Sequence, residues 1–252
     1  MKSEWMIYTS VCEEDLEYIP RYLQEMERLE VCFAMHFDKC ESSTKELVES
    51  HPNCYDTTSN DDLNLLFSER HKQGVLDIAQ DSGAQYITNL DIDETFEQDI
   101  HEKLDSYVFQ SDQIAVRCFY KQLWGDPYHI RNDRFGHTCR DKFLRVLKDC
   151  YWHMKFDFVN GPDLINKKDR RKVKWPRFDP VYPDGIVVLH WGAMLQEVRE
   201  EHKERWDKIY GSYTKTGKSP YGYHNMMVDS DCHPKPEEII SNPYLPKKHY
   251  EV

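Results

Sequence analysis

The sequence predicts an α/β fold: a mainly parallel, Rossmann-like sheet flanked by helices, followed by a C-terminal helix and an irregular tail. Three observations carry this. The first half alternates short apolar runs with segments of helical period, and that βαβ order with short connections builds parallel sheets. The length of 252 residues suffices for a sizeable core. Polar residues recur where the apolar runs end, and sheets of this kind bind ligands beyond the carboxyl ends of their strands.

Taken in order, "WMIYTSV" (Trp5 to Val11) reads as a buried strand. Leu16, Ile19, Leu23, Met26 and Leu29 then share one helical face. Pro20 is tolerated only near a helix start, so this helix is expected to begin around Tyr18 to Pro20. "VCFAMHF" (Val31 to Phe37) is a second strand leading to Asp38. "SSTKELVES" is a short helix with its cap expected at Ser42 or Ser43. "NCYDT" is a weak third strand. In "DDLNLLFSERHKQGVLDIAQDSG" the residues Leu63, Leu66, Phe67, Val75, Ile78 and Ala79 mark a helix stopped by Gly83. Gln85 to Leu90 is the fourth strand.

The second half is less regular. Gln113 to Tyr120 reads as a strand, and "WGDPYHIRNDRFGH" as a loop, because Gly, Pro, Asn and Asp crowd together. "DKFLRVLKDCYW" is expected as a short helix. "GIVVLHW" (Gly185 to Trp191) is a strongly apolar strand ending in His190. "MLQEVREEHKERWDKIYG" is a polar helix with a stripe of Leu195, Val198, His202, Trp206 and Ile209.

Composition narrows the function classes. The 33 basic and 45 acidic residues give a net charge of −12, which disfavours non-specific binding to nucleic acid or anionic membranes. The start "MKSEWMIYTS" shows no signal-peptide pattern, and no apolar run reaches membrane-spanning length. None of the eight cysteines forms a C-x-x-C pair, so reduced thiols in a cytoplasmic protein are expected and a zinc site is not.

The polar clusters are Thr9 and Ser10, Asp38, and Asp91 and Asp93, each at a strand end. Asp91-x-Asp93 after a buried strand offers hard oxygens, which suit Mg2+ or Mn2+ completed by substrate phosphates. The same pattern also arises as a plain acidic turn. His190 would be a good Mn2+ ligand, or else a buried histidine bonded to backbone. Arg70 would suit a diphosphate through its guanidinium fork, or be a solvated helix charge.

Taken together, "YTSVCEEDLEYIPRYLQEM", "HFDKC" and "FSERHKQGVLDIAQDSGAQYITNLDIDETF" resemble the nucleotide-sugar half of family 2-type glycosyltransferases with the GT-A fold. "EEDLEYIPRYL" follows that family's "N-E-x-x-x-L-P-x-W-L" pattern, with Cys12 where Asn is usual. Asp38 matches an Asp that touches the nucleotide. Arg70, Gly74 and Ala79 match the helix before the acidic motif, and "VVLHW" matches a late strand ending in a metal-ligand histidine. The resemblance covers Met6 to Phe96 well and Gly185 to Tyr210 loosely.

The resemblance implies one catalytic domain over 1–211, with a nucleotide-sugar half at 1–96 and an acceptor half at 97–192. Residues 212–252 form a tail packed on it. It implies a sugar donor bound by Thr9, Ser10, Asp38, Arg70, Asp91 and Ile92, and Mn2+ (or Mg2+) held by Asp91, Asp93 and His190. An inverting enzyme also needs a base, for which Asp126, Asp133 and Asp141 are candidates and Asp133 is preferred. The family's usual "E-D" pair is absent there, and Asp133 fits a turn or cap equally well.

One segment stands apart. Lys167 to Arg177 carries seven basic residues and one acidic, a net of +6, so the rest of the chain sums to −18. It reads as a solvated loop or as a contact for an anion: sugar-nucleotide phosphates, an acidic glycan, or the backbone of hydroxymethylated DNA. The acceptor is thus expected to be a glycan hydroxyl, with modified DNA bases as the alternative. A nucleotidyltransferase is disfavoured because "YTSVCEED" lacks a Gly-rich phosphate loop. A binding module without turnover remains the non-enzyme reading.

Overall fold

The structure is a computed structural model and describes residues 4–60, 69–109, 113–131, 138–154, 162–174, 185–192, 194–201, 204 and 237–238. Its elements in chain order are β1 (Trp5–Cys12), α1 (Ile19–Arg28), β2 (Cys32–Asp38), α2 (Ser42–Glu49), β3 (Cys54–Asn60), α3 (Glu69–Asp81), β4 (Tyr86–Asn89), β5 (Glu94–Phe96) and α4 (Ile100–Lys103). There follow β6 (Ala115–Trp124), β7 (Asp126–Ile130), β8 (Thr138–Arg145), β9 (Cys150–His153), β10 (Asp163–Asn166), β11 (Val187–His190) and β12 (Glu237–Glu238). Two compact units form: the first holds Met1–Asp93, His101–Cys118 and Arg140–Gly185, the second Glu94–Ile100, Phe119–Cys139 and Ile186–Val252.

In the first unit β3, β2, β1 and β4 lie side by side, and every pair among them is parallel. The expected α/β class and parallel sheet are therefore found. β1 and β2 are the inner strands, and Ile7, Phe33, Ala34 and Met35 are fully buried. A strand covered on both faces needs such a continuous apolar run. α1 starts at Ile19 with Pro20 in its first turn, as expected, after a 3₁₀ segment from Glu13 to Tyr18. α3 packs on β1, β2, β3 and β9, placing Val75, Leu76 and Ala79 in a core with Met6, Ala34, Ile87 and Trp152. Gly83 then takes a φ of +85°, a conformation glycine adopts without a Cβ clash.

Three expectations are corrected. Ser42 is the first residue of α2, Glu41 precedes it, and no side chain caps the helix. The run 141–152, expected as a helix, instead forms β8 antiparallel to β4 and then β9 paired with β10. A short apolar run fits both periods; here the exposed edge of β4 gains a partner for its backbone groups. The loop expected over 124–137 contains β7, which turns back on β6 through Gly125 at φ +82°. The turn residues mark the tip of a hairpin, and residues 132–137 are outside the described set.

In the second unit β11 runs antiparallel to β5 and parallel to β6, while β7 pairs with β6 and β12 with β7. Side chains lock this arrangement: the Trp191 indole donates to the Thr95 hydroxyl at 2.9 Å, and the Glu97 carboxylate accepts the Val187 N–H at 2.7 Å. Trp124 lies under the guanidinium of Arg199 at 3.8 Å and that of Arg131 at 4.5 Å. Of the expected C-terminal helix, residues 196–201 are helical. Most of the expected tail lies outside the described residues, but its Glu237–Glu238 pairs with β7 as a strand.

Candidate functional site

At the carboxyl edge of the first unit, strand register lines up the polar residues. Cys12 at the end of β1 stands opposite Asp38 at the end of β2, and Asp38 stands opposite Asn60 at the end of β3. Thr9 is buried and Ser10 partly buried. Asp38 is buried, and its Oδ1 has no hydrogen-bond partner among the described residues. A buried carboxylate oxygen normally finds one.

On the other side of β1, β4 carries the chain to the acidic motif. The Leu90 N–H and the Asn89 side-chain amide both donate to the Tyr8 carbonyl at 3.3 Å, fixing where the chain leaves the sheet. Leu90 and Ile92 are buried, whereas Asp91 and Asp93 are only partly so. The apolar residues thus anchor a turn that leaves the two carboxylates accessible.

The electrostatics there depend on residues that the sequence reading missed. Burial alone would raise the Asp91 carboxyl, and the Asp93 charge adds to that. The charges of Lys72, Lys142 and Arg140 outweigh both, so Asp91 is held below the usual carboxylate range. Burial, then the Asp93 charge, pushes the Tyr18 phenol up, and burial, then Asp91, does the same to Tyr22. Both phenols remain protonated and able to donate. Cys12 Sγ donates to Asp15 Oδ2 at 2.7 Å.

The donor set tests whether a divalent cation fits. Asp91 and Asp93 are close enough to act on each other, and Asp91 is held ionised. Among the described residues no group of three or more His, Cys, Asp or Glu converges on one point. Two carboxylates suit Mg2+ or Mn2+, which keep several positions for water and phosphate oxygens.

The remaining predicted residues divide as follows. Arg70 lies in α3, and its side chain is outside what is described; Asp133 is outside altogether. Asp141 is held by Arg117 at 3.0 Å in the first unit, and Asp126 by His129 at 2.8 Å within the β6–β7 hairpin. His190 belongs to the second unit, in register with Glu94 on β5 and Gln122 on β6, its ring 5.2 Å from that of Tyr120. Residues 167–174 of the basic run form an exposed turn after β10. There Arg170 donates to the Tyr151 hydroxyl at 3.1 Å and Lys172 pairs with Asp163 at 2.7 Å.

No family model matches the chain, and no curated protein matches it by sequence. Among solved structures it is similar to S. aureus TarS 1–349, at 11% identity over 92% of this chain and 74% of that one, with a TM-score of 0.44. The same protein in complex with UDP-GlcNAc gives 11% identity, the same coverage and a TM-score of 0.41. A protein from Desulfovibrio desulfuricans described as a nucleotide-diphospho-sugar transferase gives 11% identity over 57% of this chain and 64% of that one, with a TM-score of 0.34. At that fit the likenesses add nothing to the strand order already described.

Proposed function

We propose that the chain is a glycosyltransferase moving a sugar from a nucleotide-diphosphate donor to a hydroxyl acceptor, with Mn2+ or Mg2+ held by Asp91 and Asp93. The observation that carries this is the carboxyl edge of the parallel sheet. There Asp38 presents a buried carboxylate oxygen with no partner among the described residues, and the exit of β4 presents two partly buried carboxylates. The first suits the N–H or O–H groups of a nucleoside. The second suits a cation bridging to a diphosphate, placed where such sheets bind ligands.

When bound, the cation supplies charge that stabilises a diphosphate leaving group. The chain's own residues do the rest. Leu90 and Ile92 hold the turn, Asp38 orients the nucleoside, and the protonated Tyr18 lies near Asp93 as a hydrogen-bond donor. The role of His190 as a further ligand rests on the sequence resemblance.

The test is incubation with Mn2+ and a panel of UDP-, GDP-, dTDP- and CMP-sugars, reading hydrolysis of the sugar donor and thermal stabilisation. Metal-dependent hydrolysis of at least one donor, lost in Asp93→Asn and reduced in His190→Ala, is expected. No response to any donor, with Asp93→Asn indistinguishable from wild type, sinks the reading.

A further inference from the structure

We propose that the basic turn from Lys167 to Lys174 is a docking site for an acidic glycan, a saccharide chain bearing carboxylate, sulfate or phosphate groups. It is separate from the carboxyl edge, goes beyond the function proposed above and does not depend on it.

The backbone of the turn is fixed by its own hydrogen bonds. The Asn166 side-chain oxygen accepts the N–H groups of Lys168 and Asp169 at 2.9 and 3.3 Å. The Asn166 carbonyl accepts the Arg170 N–H at 3.0 Å, and the Asn166 N–H donates to the Arg171 carbonyl at 2.9 Å. Lys172 bridges back antiparallel to Ile165, and the Lys167 N–H donates to the Asp149 carbonyl at 2.9 Å. On this frame Lys167, Lys168, Arg170, Arg171, Lys172 and Lys174 are all exposed. Holding like charges together costs electrostatic energy, which a bound anion relieves.

Its position sets the turn apart from the donor side. β10 is antiparallel to β9, and Asn166 stands opposite Cys150, the first residue of β9. β8 ends at Arg145, opposite Tyr86 at the start of β4, and the Val146 N–H donates to the Gln85 carbonyl just before it. Gln80, in the last turn of α3, accepts the Trp152 N–H and donates to the Trp152 carbonyl. The turn therefore belongs to the end of the sheet where β4 begins. Asp38, Asp91 and Asp93 belong to the end where the parallel strands finish.

Charge and shape choose the partner. Lys167 to Lys174 holds six basic residues and Asp169. Asp169 lies 4.0 Å from Arg171, and Asp163 lies 2.7 Å from Lys172. Counting Asp149 as well leaves 6 − 3 = +3, so the rest of the chain sums to −12 − 3 = −15. A DNA duplex carries one charge per about 1.7 Å. A duplex or a membrane plane would press its charge against the acidic remainder too, within reach of repulsion. A thin glycan spaces its anionic groups with neutral sugars and can touch the turn alone. Tyr151 and His153 lie on one face of β9 with their rings 6.2 Å apart, and Arg170 donates to the Tyr151 hydroxyl. Such rings suit a sugar or a base alike, so charge decides between them.

The test is fluorescence anisotropy of the full chain with a labelled chondroitin sulfate oligosaccharide. Neutral maltodextrin, single-stranded DNA and, by co-sedimentation, phosphatidylserine vesicles are the comparisons. Wild type is expected to bind the acidic oligosaccharide, more weakly as salt rises, and not the maltodextrin. Lys168→Glu combined with Arg171→Glu should weaken binding about tenfold or more, the scale of two contacts turned into repulsions. The unfolding temperature should not change, and Lys168→Arg should retain binding. An affinity of the charge-reversed variant within about twofold of wild type overturns the proposal, as does absence of oligosaccharide binding by wild type. Tighter binding of the DNA or the vesicles than of the oligosaccharide also overturns it. Charge reversal should leave sugar-donor hydrolysis intact, and Asp93→Asn should leave oligosaccharide binding intact, so failure of this inference and failure of the glycosyltransferase reading are read separately.

Discussion

Asp91→Asn removes a charge while nearly preserving shape, and it separates two roles of one residue. The charges of Lys72, Lys142 and Arg140 act on Asp91, and Lys142 is 3% exposed. Removing one partner from a buried ion pair costs about 3–5 kcal/mol, because the other charge stays buried. Two effects offset this: the substitution ends the repulsion between Asp91 and Asp93, and water can take over Lys72 and Arg140. A net loss of about 2–3 kcal/mol remains, against roughly 0.5 kcal/mol for an ordinary turn residue. In a chain of this size each kcal/mol moves Tm by about 2–4 °C, so a fall of roughly 4–12 °C is expected. The assay is thermal unfolding by circular dichroism near neutral pH, without divalent metal. Adding Lys142→Met to Asp91→Asn should recover at least half of the loss. A Tm within about 1 °C of wild type for Asp91→Asn, well below the expected fall, would refute the electrostatic account of this edge. The consequence for enzymology is direct: Asp93→Asn is the cleaner probe of metal binding, since an inactive Asp91→Asn confounds stability with chemistry.

Other outcomes follow from the same geometry. Asp38→Asn should leave Tm nearly unchanged, since Oδ1 has no protein partner to lose among the described residues, yet weaken nucleoside diphosphate binding in a calorimetric titration. Trp152→Ala should cost about 3–5 kcal/mol in urea unfolding, because the ring is fully buried against α3 and its indole N–H donates to the Arg145 carbonyl at 2.8 Å. Burial pushes the Cys40 and Cys54 thiols up to about 11, so iodoacetamide at pH 8 should label exposed Cys139 well before either, read by peptide mass spectrometry. With the folded thiols titrating above their ordinary value near 9, the stability they contribute is intact below pH 9 and lost as pH rises towards 11.

Much of the first unit is legible in the sequence because its signals are local. The apolar runs of β1, β2 and β4 are continuous, Pro20 marks the start of α1, and Gly83 the end of α3. The second half misleads for a physical reason. "DKFLRVLKDCYW" satisfies a helical period, yet β4 offers an unpaired edge and the tertiary hydrogen bonds decide in favour of strands. The same error hid Lys142: on a helix it reads as a solvated charge, on β8 it is buried beside the acidic motif.

By itself, then, the sequence determined the α/β class, the order of the parallel strands' elements and the delivery of Asp91 and Asp93 beyond a strand end. These depend on periodicity and on neighbours along the chain. Tertiary structure alone decided which charges act on Asp91, which oxygen of Asp38 has no partner among the described residues, and which strand covers the edge of β4. Such pairings are set by strand register and helix packing between distant segments, where no local pattern reports them.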